Sequence, residues 1–134
     1  MKIVFDTNVI LSAFLTQGLS SRILDICLDL HEIIISPWIE NEVIEKLANK
    51  FKASKKELER VVYFLHSEFK IINPQGEIPN ICRDKDDNNI LYIAESQDVD
   101  LIITGDKDLL ELKEYLKIKI INPRDFIEQY YKKE

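Results

Sequence analysis

Four short apolar runs mark the chain, and each has the length of one buried strand. They span residues 3–5, 32–35, 101–104 and 118–121. Residues 3–5 are apolar without interruption and the other runs are mostly apolar, which is typical of strands covered on both faces of a sheet. The runs therefore predict four strands of a buried parallel sheet.

Apolar residues recur at helical spacing between these runs, and most of the helices begin with a recognisable cap. Ser36-Pro37 is the clearest start, because a hydroxyl can cap the helix while proline occupies its first turn. Residues 72–84 show neither pattern and are predicted to be loop or weak strand. The predicted helices are 9–15, a second that Ser20 or Ser21 caps, 37–51, a fourth that opens with a capping box at Ser54 and Glu57, 88–97 with Asp86 or Asp87 as its cap, 107–113 and 123–131.

Strands that alternate with helices imply a parallel sheet with helices on both faces. We therefore expect residues 1–134 to form a single domain with an α/β fold, a three-layer α/β/α sandwich around a central, mostly parallel sheet. Ligands of such sheets bind outside the carboxyl ends of the strands. That edge is where we expect the chemistry.

Four carboxylates fall where this edge would gather them. Asp6 ends the first strand, Asp106 follows the third, Asp87 heads a helix, and Glu42 lies in the helix after Pro37. Two unit charges about 4 Å apart repel by about 4 kcal/mol at an effective dielectric constant of 20. A protein that gathers four carboxylates usually holds divalent cations, and hard oxygen ligands select Mg²⁺ or Mn²⁺ rather than zinc. Such a site suits phosphate chemistry.

Each of these acids also has an ordinary structural explanation. Asp87 and Asp106 are placed where a carboxylate can cap a helix. Glu42 lies off the apolar stripe of its helix and, taken alone, is typical of a surface residue, whereas Glu40 lies within that stripe and is a rival. Asp6 is the hardest to explain in this way, because leaving an unpaired charge at the end of a buried strand is prohibitive.

Charge is unevenly distributed along the chain. The net charge of −6 argues against broad, non-specific binding of nucleic acid. Residues 83–108 carry eight acids against three bases, whereas residues 46–60, the basic strip, carry six bases against two acids. An acidic pole could hold cations while the basic strip contacts a phosphate backbone. An ordinary solvated helix face would also explain the strip.

The chain shows the features of a cytoplasmic protein. No apolar run approaches the roughly 20 residues of a membrane helix, and we expect no membrane association. The first residues are predicted to form a strand, so we expect no leader peptide. Cys27 and Cys82 lack metal-ligand spacing, and neither His31 nor His66 is expected to be catalytic.

Several motifs together resemble those of a known family. They are Val4-Phe5-Asp6-Thr7-Asn8-Val9, the spaced Glu42, the stretch Cys82-Arg83-Asp84-Lys85-Asp86-Asp87-Asn88, and Thr104-Gly105-Asp106-Lys107-Asp108. In this combination the chain resembles the PIN domain family of metal-dependent ribonucleases, and within it the prokaryotic toxin components of toxin–antitoxin pairs. The resemblance covers residues 1 to about 127.

The resemblance implies a role for each matching residue. The implied catalytic and metal-binding residues are Asp6, Glu42, Asp87 and Asp106. The residues implied to orient these acids or to contact the substrate are Thr7, Asn8, Thr104 and Asp108. The implied cofactor is Mg²⁺ or Mn²⁺.

Two choices among neighbouring acids stay open. Glu40 competes with Glu42, which is preferred on the resemblance. Asp84 and Asp86 compete with Asp87, which is preferred because it keeps a helix register that turns the apolar residues inward.

The function implied by the resemblance is hydrolysis of RNA phosphodiesters by an endoribonuclease, with a small antitoxin protein as partner and a homodimer as the assembly. An RNA-processing or DNA-directed nuclease of the same fold is an alternative, and so is a non-catalytic domain that binds a metal or a partner. Phosphotransfer is disfavoured, because the phosphatase pattern needs a second aspartate where this chain has Asn8.

Overall fold

Six strands form one sheet in the computed structural model, which describes residues 1–131. In chain order they are β1 (Lys2–Phe5), β2 (Glu32–Ile35), β3 (Lys70–Ile71), β4 (Leu101–Ile103), β5 (Glu114–Tyr115) and β6 (Ile118–Ile121). Their order across the sheet is β3-β2-β1-β4-β6-β5. Every neighbouring pair is parallel except β5 and β6. The predicted, mostly parallel sheet is confirmed.

Seven helices flank this sheet in the described residues. They are α1 (Thr7–Leu15), α2 (Leu19–Leu30), α3 (Pro37–Asn49), α4 (Lys55–Glu68), α5 (Lys85–Ser96), α6 (Lys107–Leu112) and α7 (Pro123–Tyr130). The chain builds outwards from β1 to β3 and then returns to the other side of β1. Because parallel crossovers are right-handed, this reversal places α1 to α4 on one face and α5 and α6 on the other. The three-layer α/β/α arrangement is confirmed.

The apolar runs form the middle of the sheet. All the apolar residues of β1, β2 and β4 are buried, which explains why these strands show no alternation of polar and apolar positions. The last helix, α7, packs against α2, and its Phe126 is fully buried. In residues 1–131 no single helix is long and apolar enough to cross a membrane; α1 and α2 reach that length and composition only as a pair, bent by 104°.

The sheet has its switch point between β1 and β4. Connections leave these neighbouring strands in opposite directions, which opens a crevice at their carboxyl ends. The ladder holds the strands in register up to this edge, where the amide of Asp6 donates to the carbonyl of Ile103 at 3.1 Å. Residues that directly follow β1 and β4 must therefore lie side by side.

Two helix starts match the sequence analysis. The Ser36 hydroxyl accepts from the Ile39 amide at 3.2 Å, and Pro37 opens α3. Ser54 and Glu57 form the reciprocal pair of a capping box, with the Ser54 amide donating to Glu57 at 2.7 Å and the Glu57 amide donating to Ser54 at 3.1 Å. Both motifs work locally, so the sequence alone identifies them.

Other boundaries differ from the prediction. The helix α2 begins at Leu19 with Gly18 as its N-cap, so a cap at Ser20 or Ser21 is wrong. Glycine is accepted at this position, and Ser20 is instead buried inside the helix. The helix α3 ends at Asn49 rather than at residue 51. The strands β3 and β5 were not predicted, because two residues are too few to show a period.

The capping box gives a test of local stability. Ser54→Ala removes one acceptor at the start of α4, and we expect the free energy of unfolding to fall by about 1 kcal/mol in urea denaturation. Ser67→Ala, at an exposed position near the end of the same helix, is the matched control and should change it little. Equal effects of the two substitutions would contradict a stabilising role for the box.

Candidate active site

A cleft of about 100 Å³ opens at the carboxyl ends of β1 and β4, and carboxylates dominate its lining. The lining residues are Asp6, Thr7, Asn8, Trp38, Glu42, Lys46, Asp84, Asp86, Asp87, Ile90 and Asp106. All four acids selected from the sequence are among them, together with both rivals of Asp87. The fold thus brings these carboxylates together, and their roles as ligands stay predictions.

Asp6 is fixed by the start of α1 and the end of β4. It is the N-cap of α1, where its Oδ1 accepts from the Val9 amide at 3.0 Å, and its Oδ2 accepts from the Thr104 hydroxyl. Burial raises its pKa, although the hydrogen bond from Thr104 acts in the opposite direction. Each carboxylate oxygen keeps a second lone pair, so these bonds orient Asp6 and leave it able to bind a cation.

Thr104 connects two of the acids. It is fully buried directly after β4, and its hydroxyl donates to Asp6 while accepting from the Asp106 amide at 3.0 Å. Asp106 caps α6 as predicted, accepting from the amides of Asp108 at 2.8 Å and Leu109 at 3.2 Å. One hydroxyl therefore sets the position of a carboxylate after β1 relative to a carboxylate after β4.

Asp87 does not cap its helix, and neither does Asp86. The helix α5 begins at Lys85, and its N-cap is Asp84, which accepts from the Asp86 amide at 2.9 Å. The predicted start at residue 88 is therefore wrong. The register is nevertheless as expected, because Asp87, Ile90 and Ala94 all lie on the buried side of α5. Asp84 satisfies the helix terminus, which leaves Asp87 free for the cleft.

The environment of Asp87 is unfavourable to its own charge. Its Oδ2 is buried and has no hydrogen-bond partner within residues 1–131. Burial, followed by the charges of Asp106 and Asp84, raises its pKa to about 7. Carboxylate oxygens of Asp87, Asp106 and Asp108 lie within 4.8 Å of one another, so each charged pair repels by about 3 to 4 kcal/mol at an effective dielectric constant of 20. A bound cation would remove this repulsion.

Asp108 lies at the border of the site. Its Oδ1 accepts from the Arg83 guanidinium at 2.9 Å, so the loop before α5 is tied to α6. Asp108 is close to Asp87 and Asp106 without lining the cleft. Its position suits the supporting role that the sequence analysis assigned to it.

The structure separates Glu42 from its rival. Glu42 lines the cleft, where burial and then the charge of Asp86 raise its pKa while Lys46 counteracts them. Glu40 lies outside the cleft lining, and its Oε2 is 2.6 Å from Nε2 of His66 on α4. Glu40 occupies the apolar stripe of α3 because this partner across the helix pair satisfies it. Glu42 is therefore the better candidate ligand.

The basic strip is not one surface. Lys46 is the only base that lines the cleft in the described chain, and its Nζ lies 3.5 Å from Oδ1 of Asn8 and 3.9 Å from Oε1 of Glu42. Lys46 and Lys50 also line a groove beside the cleft. The strip's other groove-forming bases lie along α4 and are Lys55, Lys56 and Arg60.

Two residues at the site were not predicted. Asn88 is buried, and its Oδ1 accepts from the amides of Ile81 at 3.1 Å and Cys82 at 2.8 Å, which holds down the loop before α5. The sequence did offer one signal for Asn88: a polar residue next to the buried side of a helix needs hydrogen-bond partners. Trp38 lines the cleft from the first turn of α3, and no sequence pattern marks it.

The side chains present fit a divalent cation. The ligand atoms offered by the charged residues of the cleft are carboxylate oxygens, and no histidine or cysteine lines it within residues 1–131. Two buried oxygens, Oδ2 of Asp87 and Oγ1 of Thr7, lack hydrogen-bond partners in this part of the chain. Hard oxygen donors and unsatisfied buried acceptors are what a site for Mg²⁺ or Mn²⁺ requires.

The sequence of the chain matches a known family. The sequence model of the PIN domain matches residues 2–108, so the chain belongs to the PIN domain family. Members of this family are generally nucleases that use divalent metal ions. A protein of Methanocaldococcus jannaschii, the uncharacterized protein MJ1680, is 34% identical over 98% of this chain and 93% of its own length.

Solved structures share the fold at low sequence identity. VapBC2 from Rickettsia felis was solved bound to a DNA fragment from the VapBC2 promoter. It aligns with a TM-score of 0.66 and 16% identity over 91% of this chain and 98% of that one. VapBC-1 from nontypeable Haemophilus influenzae aligns with a TM-score of 0.66 and 15% identity over 92% of this chain and 99% of that one. FitAcB from Neisseria gonorrhoeae aligns with a TM-score of 0.58 and 17% identity over 91% of this chain and 98% of that one. These likenesses confirm the α/β fold.

The hydroxyl of Thr104 can be tested by a substitution that keeps its shape. Thr104→Val removes the link between Asp6 and Asp106, and we expect Mn²⁺ affinity, measured by calorimetric titration, to fall by about 10- to 100-fold. Thr104→Ser keeps the hydroxyl and is the control, with affinity close to that of the unmodified protein. If both variants bound Mn²⁺ equally, the link would have no role in holding the acids.

The raised pKa of Asp87 predicts how stability depends on pH. Without metal, the folded protein keeps a proton on Asp87 up to about pH 7, whereas the unfolded chain releases it near 3.8. The contribution of Asp87 to the free energy of unfolding should therefore fall as pH rises between these values, by a few kcal/mol, and change no further above them. Asp87→Asn should flatten this dependence and make the metal-free protein more stable at pH 8.

The measurement is chemical denaturation in EDTA from pH 4 to pH 8. Asp25→Asn, at an exposed position of α2, is the control and should keep the slope of the unmodified protein. A part of the slope should persist in Asp87→Asn, because burial also raises the pKa of Asp6. Identical curves for Asp87→Asn and the unmodified protein would contradict the assignment.

Proposed function

We propose that this protein is a metal-dependent endoribonuclease that hydrolyses RNA phosphodiesters, and that it is the toxin of a toxin–antitoxin pair acting in the cytoplasm. The observation that carries the catalytic part is the arrangement of Asp6, Glu42, Asp87 and Asp106 around one cleft, with a buried carboxylate oxygen of Asp87 left without a partner. Carboxylates crowded in this way favour binding of a hard divalent cation over remaining empty.

The proposal gives separate parts to several residues of the cleft. Asp6 and Asp106 are the fixed ligands, because helix caps and the Thr104 hydroxyl hold their orientation. Asp87 supplies the unsatisfied oxygen. When bound, Mg²⁺ or Mn²⁺ would polarise the scissile phosphate and lower the pKa of a water molecule. Lys46 stands beside these acids, where its ammonium group can hold a phosphate oxygen of the substrate.

RNA is proposed as the substrate on the strength of the family resemblance, and DNA is the alternative that the same assay tests. The proposed antitoxin partner rests on the motifs of the chain and on the fold shared with VapBC complexes, which pair such a toxin with an antitoxin. A homodimer is proposed on the resemblance.

The central test removes the charge of a ligand and keeps its shape. Asp6→Asn should lower Mn²⁺-dependent cleavage of a fluorescent single-stranded RNA by more than about 100-fold, because the cation loses a ligand. Its thermal unfolding temperature in EDTA should be unchanged or higher, since repulsion with Asp106 is relieved. Glu42→Gln should also lose cleavage, whereas Glu40→Gln, outside the cleft, is the matched control and should cleave normally.

The assay carries two further arms. EDTA should abolish cleavage by the unmodified protein, and DNA of the same sequence should resist it. Undiminished cleavage by Asp6→Asn would refute the proposed site. Preferential cleavage of the DNA would leave the site in place and overturn the proposed substrate.

A further inference from the structure

We infer that the groove between α1 and α3, directly beside the acidic cleft, binds a single-stranded stretch of the nucleic-acid substrate next to the phosphate that is cut. We call it the lysine groove. It has a volume of about 340 Å³ and is lined by Asn8, Leu11, Ser12, Leu15, Thr16, Lys46, Lys50 and Phe51. The inference rests on the proposed nuclease function and specifies the form of substrate that the site accepts.

The lysine groove is continuous with the cleft. Asn8 and Lys46 line both, and Lys46 Nζ contacts Oδ1 of Asn8 at 3.5 Å at this junction. The packing of α1 against α3 brings the walls together. A chain that places one phosphate over Asp6 and its neighbours can therefore extend into the groove without crossing another element that lines the site.

The charges of the two spaces are opposite. Six carboxylates line the cleft, whereas two lysines and no carboxylate are found among the described residues that line the groove. Lys50 is the C-cap of α3 and follows Lys46 by four residues with helical backbone angles, so both point to the same side of the helix. A cation in the cleft would hold one phosphate, and the two lysines would hold the next ones. This arrangement suits a polyanion, whereas a site that binds only a metal ion would not need the lysines.

An ordinary explanation of these lysines is stabilisation of the carboxyl end of α3, where cations interact favourably with the helix dipole. The observed contacts of Lys46 do not fit it, because its Nζ lies near Asn8 and Glu42. Lys50 Nζ lies 5.6 Å from the centre of the Phe51 ring. Both ammonium groups are thus next to side chains that face the groove.

An exposed aromatic ring favours a single strand over a duplex. Phe51, which lines the groove, is 44% exposed, and Leu15 in the same lining is equally exposed. Unpaired bases stack on exposed aromatic side chains in proteins that bind single strands, and nearby cations follow the backbone. Bases inside a duplex are already stacked and cannot reach such a ring. The expected ligand is an unpaired nucleotide beside the scissile phosphate.

The test measures binding apart from cleavage. Affinity for a fluorescein-labelled, single-stranded 12-nucleotide RNA is determined by anisotropy in EDTA at several salt concentrations, with the full chain. Lys50→Ala should remove one phosphate contact, so the slope of log K against log salt should fall in magnitude by about 0.7. Lys56→Ala, which removes the same charge from α4 outside the groove, is the matched control and should keep the slope.

Phe51→Leu tests the stacking surface, because it keeps an apolar side chain and removes the ring. Affinity for the single strand should fall by about fivefold or more. Affinity for the duplex of the same sequence should be lower from the start and should not respond to this substitution. Unchanged circular dichroism and thermal unfolding show that each variant is folded.

The outcomes separate this inference from the proposed function. Weaker binding by Lys50→Ala and Phe51→Leu supports the groove even if the unmodified protein fails to cleave the RNA, a failure that would refute only the nuclease. Normal cleavage together with unchanged binding by both variants would overturn the groove and leave the nuclease intact. If Phe51→Leu lost the proposed homodimer or antitoxin complex while its RNA affinity stayed unchanged, the groove would be a protein-binding surface. That result would also overturn the inference.

Discussion

The pairing of β1 with β4 is the constraint on which the site depends. These strands are neighbours only because the chain reverses its direction of winding between β3 and β4, and their ladder continues to the Asp6 amide. Asp6 and Thr104 are thereby forced into contact, and Asp106 follows two residues later. The fully buried middle strands make this edge rigid, so mutual repulsion cannot spread the carboxylates apart.

Structural and chemical roles coincide at this edge. Asp6, Asp84 and Asp106 each cap a helix and also line the cleft. A helix cap and a metal ligand are therefore compatible explanations of one carboxylate, because an amide hydrogen bond orients the group and leaves lone pairs free. Asp87 caps no helix, and its buried Oδ2 has no partner within the described residues. Burial and the charges of Asp106 and Asp84 raise its pKa.

Charge is segregated over a short distance in this protein. The cleft concentrates carboxylates, and the lysine groove beside it carries two bases, Lys46 on α3 and Lys50 at the carboxyl end of that helix. A net charge of −6 would otherwise repel a polyanion. Local arrangement, rather than total charge, thus decides what can approach the acids, and a bound divalent cation would reduce the remaining repulsion.

The sequence by itself determined the buried strands, the starts of α3 and α4 and the positions of Asp6 and Asp106, because burial on both faces and helix capping act between residues close in the chain. It misplaced the start of α5, since Asp84, Asp86 and Asp87 are equally able to cap a helix. Only the tertiary structure decided that Glu42 lines the cleft while Glu40 binds His66, and that Lys46 and Lys50 separate from the rest of the basic strip. These outcomes depend on how helices pack across the sheet, and such long-range contacts leave no local period in the sequence.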